Sequence, residues 1–360
     1  MPNFNGTLRH NEIFSAIYNM IISQQVFADN IAGTNSKLVD EAKVDGTLYG
    51  GDTKLYYATD CLQSKEWGND AEATNLLALH RPKAPEVQAL MISNFRQISL
   101  TLDNYLSKRA FSTIDAFSQF NSVMQSWIGQ TKRIIDSTTY NAFFGTAASA
   151  VGKQTQEVLL SGITATGEEK NRLRAQTIAN KIADILVELT DVSRDYNDYG
   201  YLRSYDYKDI KVIWNSKYSN EITKLDLPTI FHKDGVVDKA FSYVLPSRYF
   251  GVVNTSNVTE SQKQSGKVYR ALVEQDIGDN HYFAGDILKT SDTAFANMSY
   301  IEDSDVICKI VVKLPPYLSA FEVATSFYNA KSLTENHYLT FGRSDLEYLK
   351  NYPIITLHEN

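Results

Sequence analysis

Hydrophobic positions in the middle of the chain repeat with helical spacing. No proline falls within 86–227, so nothing in this stretch blocks long helices. From about residue 168 to 196 the apolar residues step by four and three, which predicts one amphipathic helix. Before it, the capping-box spacing of 112–115 opens an apolar repeat that continues to Gly145. This repeat predicts either one helix of about 48 Å or two helices divided at Gly129. The seam of the later helix consists of Ile178, Ile182, Ile185, Leu189, Val192 and Tyr196.

Alternating polar and apolar positions predict several strands. Residues 95–102 alternate strictly, which predicts a half-buried strand with Ile98 on one face and Phe95 on the other. Residues 306–314 place apolar side chains on one face and Lys309 with Lys313 on the other. We also predict strands at 210–214, 268–273 and 354–357, a turn or helix at 215–222, and a helix at 320–330.

The sequence of the first 85 residues does not predict a separate hydrophobic core. Residues 1–45 read as an arm whose apolar stripe at 13–22 predicts one amphipathic helix that must pack on another body. Residues 46–85 combine a short apolar run with a polar tip at 63–75, which predicts a protruding hairpin, or flap. The alternative is a small structured insertion around Trp67.

Composition narrows the class of protein. The chain has 360 residues, enough for roughly two domains or one large one, and a formal net charge of −7. Nucleic-acid binding needs a cationic surface, so specific DNA binding is disfavoured as the main task. Cys61 and Cys308 are too few for a disulfide framework and fit a reducing compartment. No targeting segment or membrane span is predicted.

Motifs that carry chemistry are missing from the sequence. There is no phosphate-binding loop, no G-x-G-x-x-G, no G-x-S-x-G and no C-x-x-C, and the six histidines are scattered without metal-ligand spacing. We therefore predict no catalytic, cofactor-binding or metal-binding residues and a protein that is not an enzyme.

Two surface features remain open to interpretation. Beside the apolar seam of the 168–196 helix runs an acidic stripe, which is either a solvated face or the partner of a cationic neighbour. After it comes a tyrosine cluster, for which a subunit interface or core corner is favoured over a carbohydrate platform. The stripe consists of Asp184, Glu188, Asp191, Asp195 and Asp198, and the cluster of Tyr196, Tyr199, Tyr201, Tyr205 and Tyr207.

The order of elements resembles the major capsid proteins of tailed bacteriophages, which have the Hong Kong 97-type fold. Three segments are most similar. Residues 95–145 (FRQISLTLDNYLSKRAFS…QTKRIIDSTTYNAFFG) resemble the strand and helix that follow the extended loop. Residues 209–233 (DIKVIWNSKYSNEITKLDLPTIFHK) resemble the beginning of the axial domain, and 307–342, with VVKLPPYLSAFEVATSFYNAKSLTENHYLTFG, resemble the C-terminal part of some capsid subunits.

The resemblance implies an α+β fold in four parts. These are an N-terminal arm (1–45), an extended loop or flap (46–94), a peripheral domain with long helices (95–200) and an axial domain (201–360). The division allows strands from about 260–312 to return to the peripheral domain.

The resemblance also implies function and partners. The chain would self-assemble through pentamers and hexamers into the icosahedral shell of a phage head, which encloses DNA that it binds only non-specifically. Scaffold, portal and decoration or tail-connector proteins are the other expected partners, with no membrane, and assembly is expected in the host cytoplasm. The acidic stripe would meet cations of a neighbour, such as Lys108, Arg109, Lys132 or Arg133. The alternative is a carbohydrate- or surface-binding structural protein that uses the tyrosine-rich face.

Overall fold

The computed structural model describes residues 36–46, 53–64, 79, 81–103, 114–147, 152–223, 243–254, 268–288 and 299–360. The predicted arm helix at 13–22 and residues 65–75 of the predicted flap tip lie outside the described residues. Helices and sheets both contribute large parts of the described chain, which confirms the predicted α+β class.

The elements are numbered in chain order. The helices are α1 (Lys37–Ala42), α2 (Ile114–Thr146), α3 (Gly167–Thr190) and α4 (Ser216–Thr223). The strands are β1 (Lys43–Asp45), β2 (Thr53–Ala58), β3 (Glu86–Asp103), β4 (Thr155–Val158), β5 (Lys211–Asn215), β6 (Tyr243–Leu245), β7 (Gly251–Asn254), β8 (Tyr269–Ala271), β9 (Gln275–Ile277), β10 (Asn280–Tyr282), β11 (Ser299–Glu302), β12 (Val306–Val311), β13 (Tyr317–Asn329), β14 (Thr334–Ser344) and β15 (Ile354–Glu359).

A five-stranded body sheet with the order β4-β15-β12-β5-β6 forms the centre of the largest core. Helix α3 covers one face of this sheet, where the predicted seam residues Ile178, Ile182 and Ile185 pack against Trp214 and Ile310. The other face packs against α1 and the end of α2. Strand β12 is central and buried on both faces because helices cover the sheet on each side. The core that includes α3 therefore contains residues from both sides of the predicted boundary at residue 200, and the domain division stays a prediction.

Helix α2 is one continuous helix of 33 residues, about 50 Å long, with Gly129 inside it. Its last turns pack Tyr140 and Phe144 on the body sheet, and its middle packs Ile135 on the second sheet. Near its end, Gly145 lies so close to another segment that a Cβ there would be 1.9 Å from the Tyr249 carbonyl oxygen. Only glycine fits this contact, which fixes the helix against the 3₁₀ turn at Ser247–Tyr249.

The second, long-strand sheet has the order β1-β13-β14-β3-β2. Strand β3 runs for 18 residues and alternates as predicted, with Ile92 and Leu102 buried and Phe95 exposed. From Ile92 to Asp103 it pairs with β14, whereas residues 86–91 pair with β2. The strand therefore joins the sheet to a two-stranded ribbon, which consists of β2 and residues 86–91 of β3.

Two predicted elements are wrong. The predicted helix at 320–330 is strand β13, because nine register pairs with β14 hold it extended and override the helical spacing of its alanines. The predicted helix over 168–196 ends at Thr190, where Asp191 turns to an extended backbone and Ser193 forms a bridge with Arg203. The strands at 210–214 and 354–357 and the helix at 215–222 are confirmed within one or two residues.

A small lobe of short strands packs against α2. Its sheet has the order β7-β11-β8, and Tyr249 and Tyr300 pack on Ala142 of the helix. The β9–β10 hairpin is tied to β3 by an ion pair of 3.0 Å between the Arg96 Nη1 and the Glu274 Oε2 atoms.

Lys309 lies on the opposite face of β12 from Cys308, but it is buried, with 2% of its surface exposed. Its Nζ donates a hydrogen bond of 2.6 Å to the carbonyl oxygen of Ala147, directly after α2. A cation at the negative end of a helix is favourable, and here it joins the helix to the central strand. Burial nevertheless lowers the pKa of Lys309 to about 7, because the charged form loses its hydration.

This depressed pKa predicts a pH-dependent stability. Above about pH 7 the folded chain releases a proton that the unfolded chain, with a lysine pKa of 10.5, still holds, so the free energy of unfolding rises with pH in this window. The slope from this group is at most about 1.4 kcal/mol per pH unit. Lys309→Met removes this pH dependence. In denaturant titrations we therefore expect the variant's free energy of unfolding, relative to that of the wild type, to fall between pH 7 and 10. The exposed Lys331→Met is the control, and parallel curves for all three proteins would contradict the assignment.

Candidate assembly surfaces

The described residues offer no cluster of side chains typical of an active site. No group of three or more His, Cys, Asp or Glu residues among them is placed to hold a metal ion. Cys308 is buried and burial raises the pKa of its thiol, which disfavours the nucleophilic thiolate. No described helix has the length and apolarity to cross a membrane. That the chain lacks catalytic and cofactor-binding residues stays a prediction.

The ribbon presents an exposed apolar face. Tyr57 lies opposite Val87, and Leu55 opposite Ala89, so these side chains share one side of the ribbon. Each of the large members is between 47% and 63% exposed. We call this surface the apolar ribbon face; it consists of Leu55, Tyr57, Val87 and Met91 on the ribbon and of Phe95, which follows on the same face of β3 where the strand pairs with β14. A contiguous exposed apolar surface of this kind is typical of a protein–protein interface.

Charged groups anchor the end of the ribbon that is farther from the long-strand sheet to the loop after α3. The Asp60 carboxylate accepts hydrogen bonds from the Arg194 Nη1 atom at 2.9 Å and from the Leu202 backbone nitrogen at 3.1 Å. Arg203 donates to the carbonyl oxygen of Thr59. The Arg194 and Leu202 donors favour the charged carboxylate and lower the pKa of Asp60 to about 2. This anchor holds that end of the ribbon against the body.

Part of the acidic stripe is neutralised within the chain. The Lys153 Nζ atom lies 3.2 Å from the Asp195 Oδ2 atom and 3.7 Å from the Glu188 Oε2 atom. Asp198 accepts hydrogen bonds from Gln154 at 3.1 Å and from the Tyr348 hydroxyl at 2.5 Å. Three of the five acids therefore have partners in the same chain, whereas Asp184 and Asp191 are exposed on α3 and at its end.

The hypothesis that Lys132 meets a neighbour's acidic stripe is wrong. Lys132 is buried, and its Nζ lies 3.0 Å from Asp136 and 3.3 Å from Glu322. The same Asp136 accepts a hydrogen bond of 2.5 Å from the Tyr317 hydroxyl. The helical spacing alone assigns Lys132 to the polar positions of α2, but strand β13 packs over it. Arg133 donates to Ser36, and Lys108 and Arg109 lie outside the described residues.

The tyrosine cluster is mainly part of the core. Tyr196, Tyr201 and Tyr205 are buried, and the Tyr199 ring stacks on Tyr201 with centroids 5.5 Å apart. Tyr207 packs at the edge of the main core. This agrees with the favoured interpretation as a core corner, and nothing supports the carbohydrate-binding alternative.

Solved structures of phage capsids have the same fold. A chain in the capsid structure of Staphylococcus phage Andhra aligns with a TM-score of 0.62 and 13% identity, and the match covers 94% of this chain and 87% of that one. A chain from the structure of the head fiber and inner core protein gp22 of native bacteriophage P68 also gives 0.62, at 12% identity, with 93% and 87% covered. The fold is thus that of a phage capsid subunit. No curated protein matches the sequence.

The family follows from the sequence itself. The model of the Phi29-like phage major capsid protein family matches residues 7–343, and the chain belongs to this family. It is therefore a major capsid protein, which associates with copies of itself to form the shell of the phage head. The predicted tailed-phage major capsid protein is confirmed.

The apolar ribbon face was not identified from the sequence, although its signal was present. Alternation places Phe95 on the face opposite Ile98, and the short apolar run of the flap contains Leu55 and Tyr57. Continuing the alternation back from Phe95 through Met91 to Val87 would have shown apolar residues on a face that faces solvent.

Substitution of Asp60 tests the anchor between the ribbon end and the loop after α3. Asp60→Asn keeps the shape but loses the charge, so we expect thermolysin to cleave within 53–64 several-fold faster at neutral pH. In the wild type the charged anchor is complete above about pH 4 and is lost as the pH falls toward 2, because the folded-state pKa is depressed. The exposed Asp345→Asn is the matched control. Equal cleavage rates in the wild type and in Asp60→Asn would refute the anchor.

Proposed function

We propose that the chain builds pentamers and hexamers in which the apolar ribbon face of each copy lies on the body of the next. The observation that carries this proposal is the exposure of four large apolar side chains on one side of the two-stranded ribbon, with exposed Phe95 following on the same face of β3. One side of the ribbon packs on the body of its own chain, where Ala58 and Leu90 are buried. A second copy would cover the other, exposed side.

The expected gain is large enough to drive assembly. Complete burial of an apolar side chain of this size contributes about 1.5–3 kcal/mol. Those on the ribbon are already about half buried, so roughly half of that gain remains for each of them. The entropy lost when the ribbon is ordered offsets part of this free energy. In a shell, the remaining free energy is gained again at every equivalent contact.

The proposal extends to the partners and the place of assembly. We propose a shell that assembles in the host cytoplasm, with separate scaffold, portal and decoration or tail-connector proteins, and no enzymatic role. The net charge of −7 supports only non-specific contact with packaged DNA, because a strongly cationic lining would hold the genome tightly.

Polar substitutions on the ribbon test the assembly proposal. In Tyr57→Lys/Met91→Lys both charges are solvated in the free chain, so we expect a folded protein with an unchanged unfolding midpoint. Burying either lysine at an interface is costly, so shells and rings seen by negative-stain microscopy should fall at least tenfold. Leu159→Lys is the control, because Leu159 is 64% exposed in the loop after β4. Wild-type yields of shells from the double variant would contradict the proposal.

A further inference from the structure

A cleft lined by three lysines opens beside the body sheet. Lys208, Lys211 and Lys313 line a cavity of about 600 Å³ between α1, β2 and the ends of β5 and β12. Two carboxylates, Glu41 and Asp209, also line it. We call this surface the lysine cleft.

The lysines of the cleft differ in how they are held. Lys211 forms an ion pair with Glu41, which also accepts a hydrogen bond from the Tyr243 hydroxyl. Lys313 lies over two aromatic rings, with its Nζ 5.3 Å from the centroids of Tyr56 and of Tyr352. The rings fix the position of this ammonium group without neutralising it. Among the described residues no carboxylate forms an ion pair with Lys313 or Lys208.

The wall of the cleft is apolar behind the ammonium groups. Val44, Leu314 and Pro316 line it together with the two tyrosine rings. An occupant that fits this surface has a small apolar side chain at its centre and carboxylates around it, as in many protein–protein interfaces with an apolar core and a polar rim.

The outer face of α3 has this composition. Val187 is 68% exposed in the last turn of α3; Asp184 lies one turn before it, and Asp191, directly after the helix, lies one turn after it. Lys153 pairs with Glu188 and Asp195, but no described cation lies within ion-pair distance of Asp184 or Asp191. The two acids therefore carry negative charge that the described part of the same chain leaves unpaired.

One copy of the chain does not bring these two surfaces together. Val212 and Trp214 point to the face of the body sheet that α3 covers, and Ile213 points to the other face. Side chains alternate along a strand, so Lys211 lies on the face away from α3. The lysine cleft and the outer face of α3 therefore look in different directions.

We propose that the lysine cleft of one copy binds the outer face of α3 of a second copy, with Asp184 and Asp191 paired to Lys208 and Lys313 and Val187 against the apolar wall. This proposal rests on the proposed function and adds a second contact to that of the ribbon. Because the two surfaces differ, the contact is head-to-tail, and repetition of a head-to-tail contact gives a ring when the rotation between copies closes. Such a contact fits pentamers and hexamers of one chain.

A charge exchange tests the contact. The cleft variant is Lys208→Glu/Lys313→Glu, the helix variant is Asp184→Lys/Asp191→Lys, and the third protein combines all four changes. We expect each double variant to lower the yield of rings and shells about tenfold, through like-charge repulsion, and the combined protein to recover to within about threefold of the wild type. Glu169→Lys/Lys170→Glu, at the exposed beginning of α3, is the matched control.

Each outcome has one meaning. Thermal melts and negative-stain images of all five proteins are compared, and any double variant with a lowered melting point is replaced by its Asn or Gln counterpart, for which a smaller loss is expected. If both double variants assemble like the wild type, or if the combined protein fails to recover while remaining folded, the contact is refuted. If the wild type itself forms no oligomer, the proposed function fails instead.

Discussion

Strand β3 is the constraint on which the architecture depends. The strand has 18 residues and is longer than its pairing with β14. One end therefore belongs to the long-strand sheet and the other to the ribbon. The sheet end gains a buried face against α2, whereas the ribbon end buries Ala58 and Leu90 on one side and exposes its larger apolar side chains on the other. One continuous hydrogen-bonded strand thus transmits any force on the ribbon directly to the body of the subunit.

The body is built to hold that strand in place. Helix α2 crosses from the long-strand sheet to the body sheet, and polar contacts fasten it at both positions: Lys132 with Glu322 and Asp136 with Tyr317 near its middle, and Lys309 with Ala147 just beyond its end. Buried charges with partners cost much when one partner is removed, so they favour a single arrangement of helix and sheets. The anchor at Asp60 then holds the far end of the ribbon against the body.

Local patterns in the sequence predicted the elements whose periodicity matches their surroundings. The seam of α3, the helical repeat of α2 up to Gly145 and the alternation of β3 all follow from such patterns, although the repeat left one helix and two helices divided at Gly129 equally open. Such local patterns do not reveal which distant segments pair. The sequence of β13 has helical spacing but the strand pairs with β14, and Lys132 is at a polar position of the helical repeat but is buried beside Glu322. To predict the apolar ribbon face, one must know that β3 extends beyond its pairing with β14. That depends on where residues 334–344 pair.

The central claim is that the apolar ribbon face is covered only when copies of the chain assemble. Oxidation of Met91, whose thioether is on this face and which is 60% exposed, measures that directly. Mass spectrometry after a short exposure to peroxide should show Met91 oxidised at least tenfold more slowly in assembled shells than in the unassembled chain, while buried Met124 reacts slowly in both. Equal rates of Met91 oxidation in the two states would contradict the account.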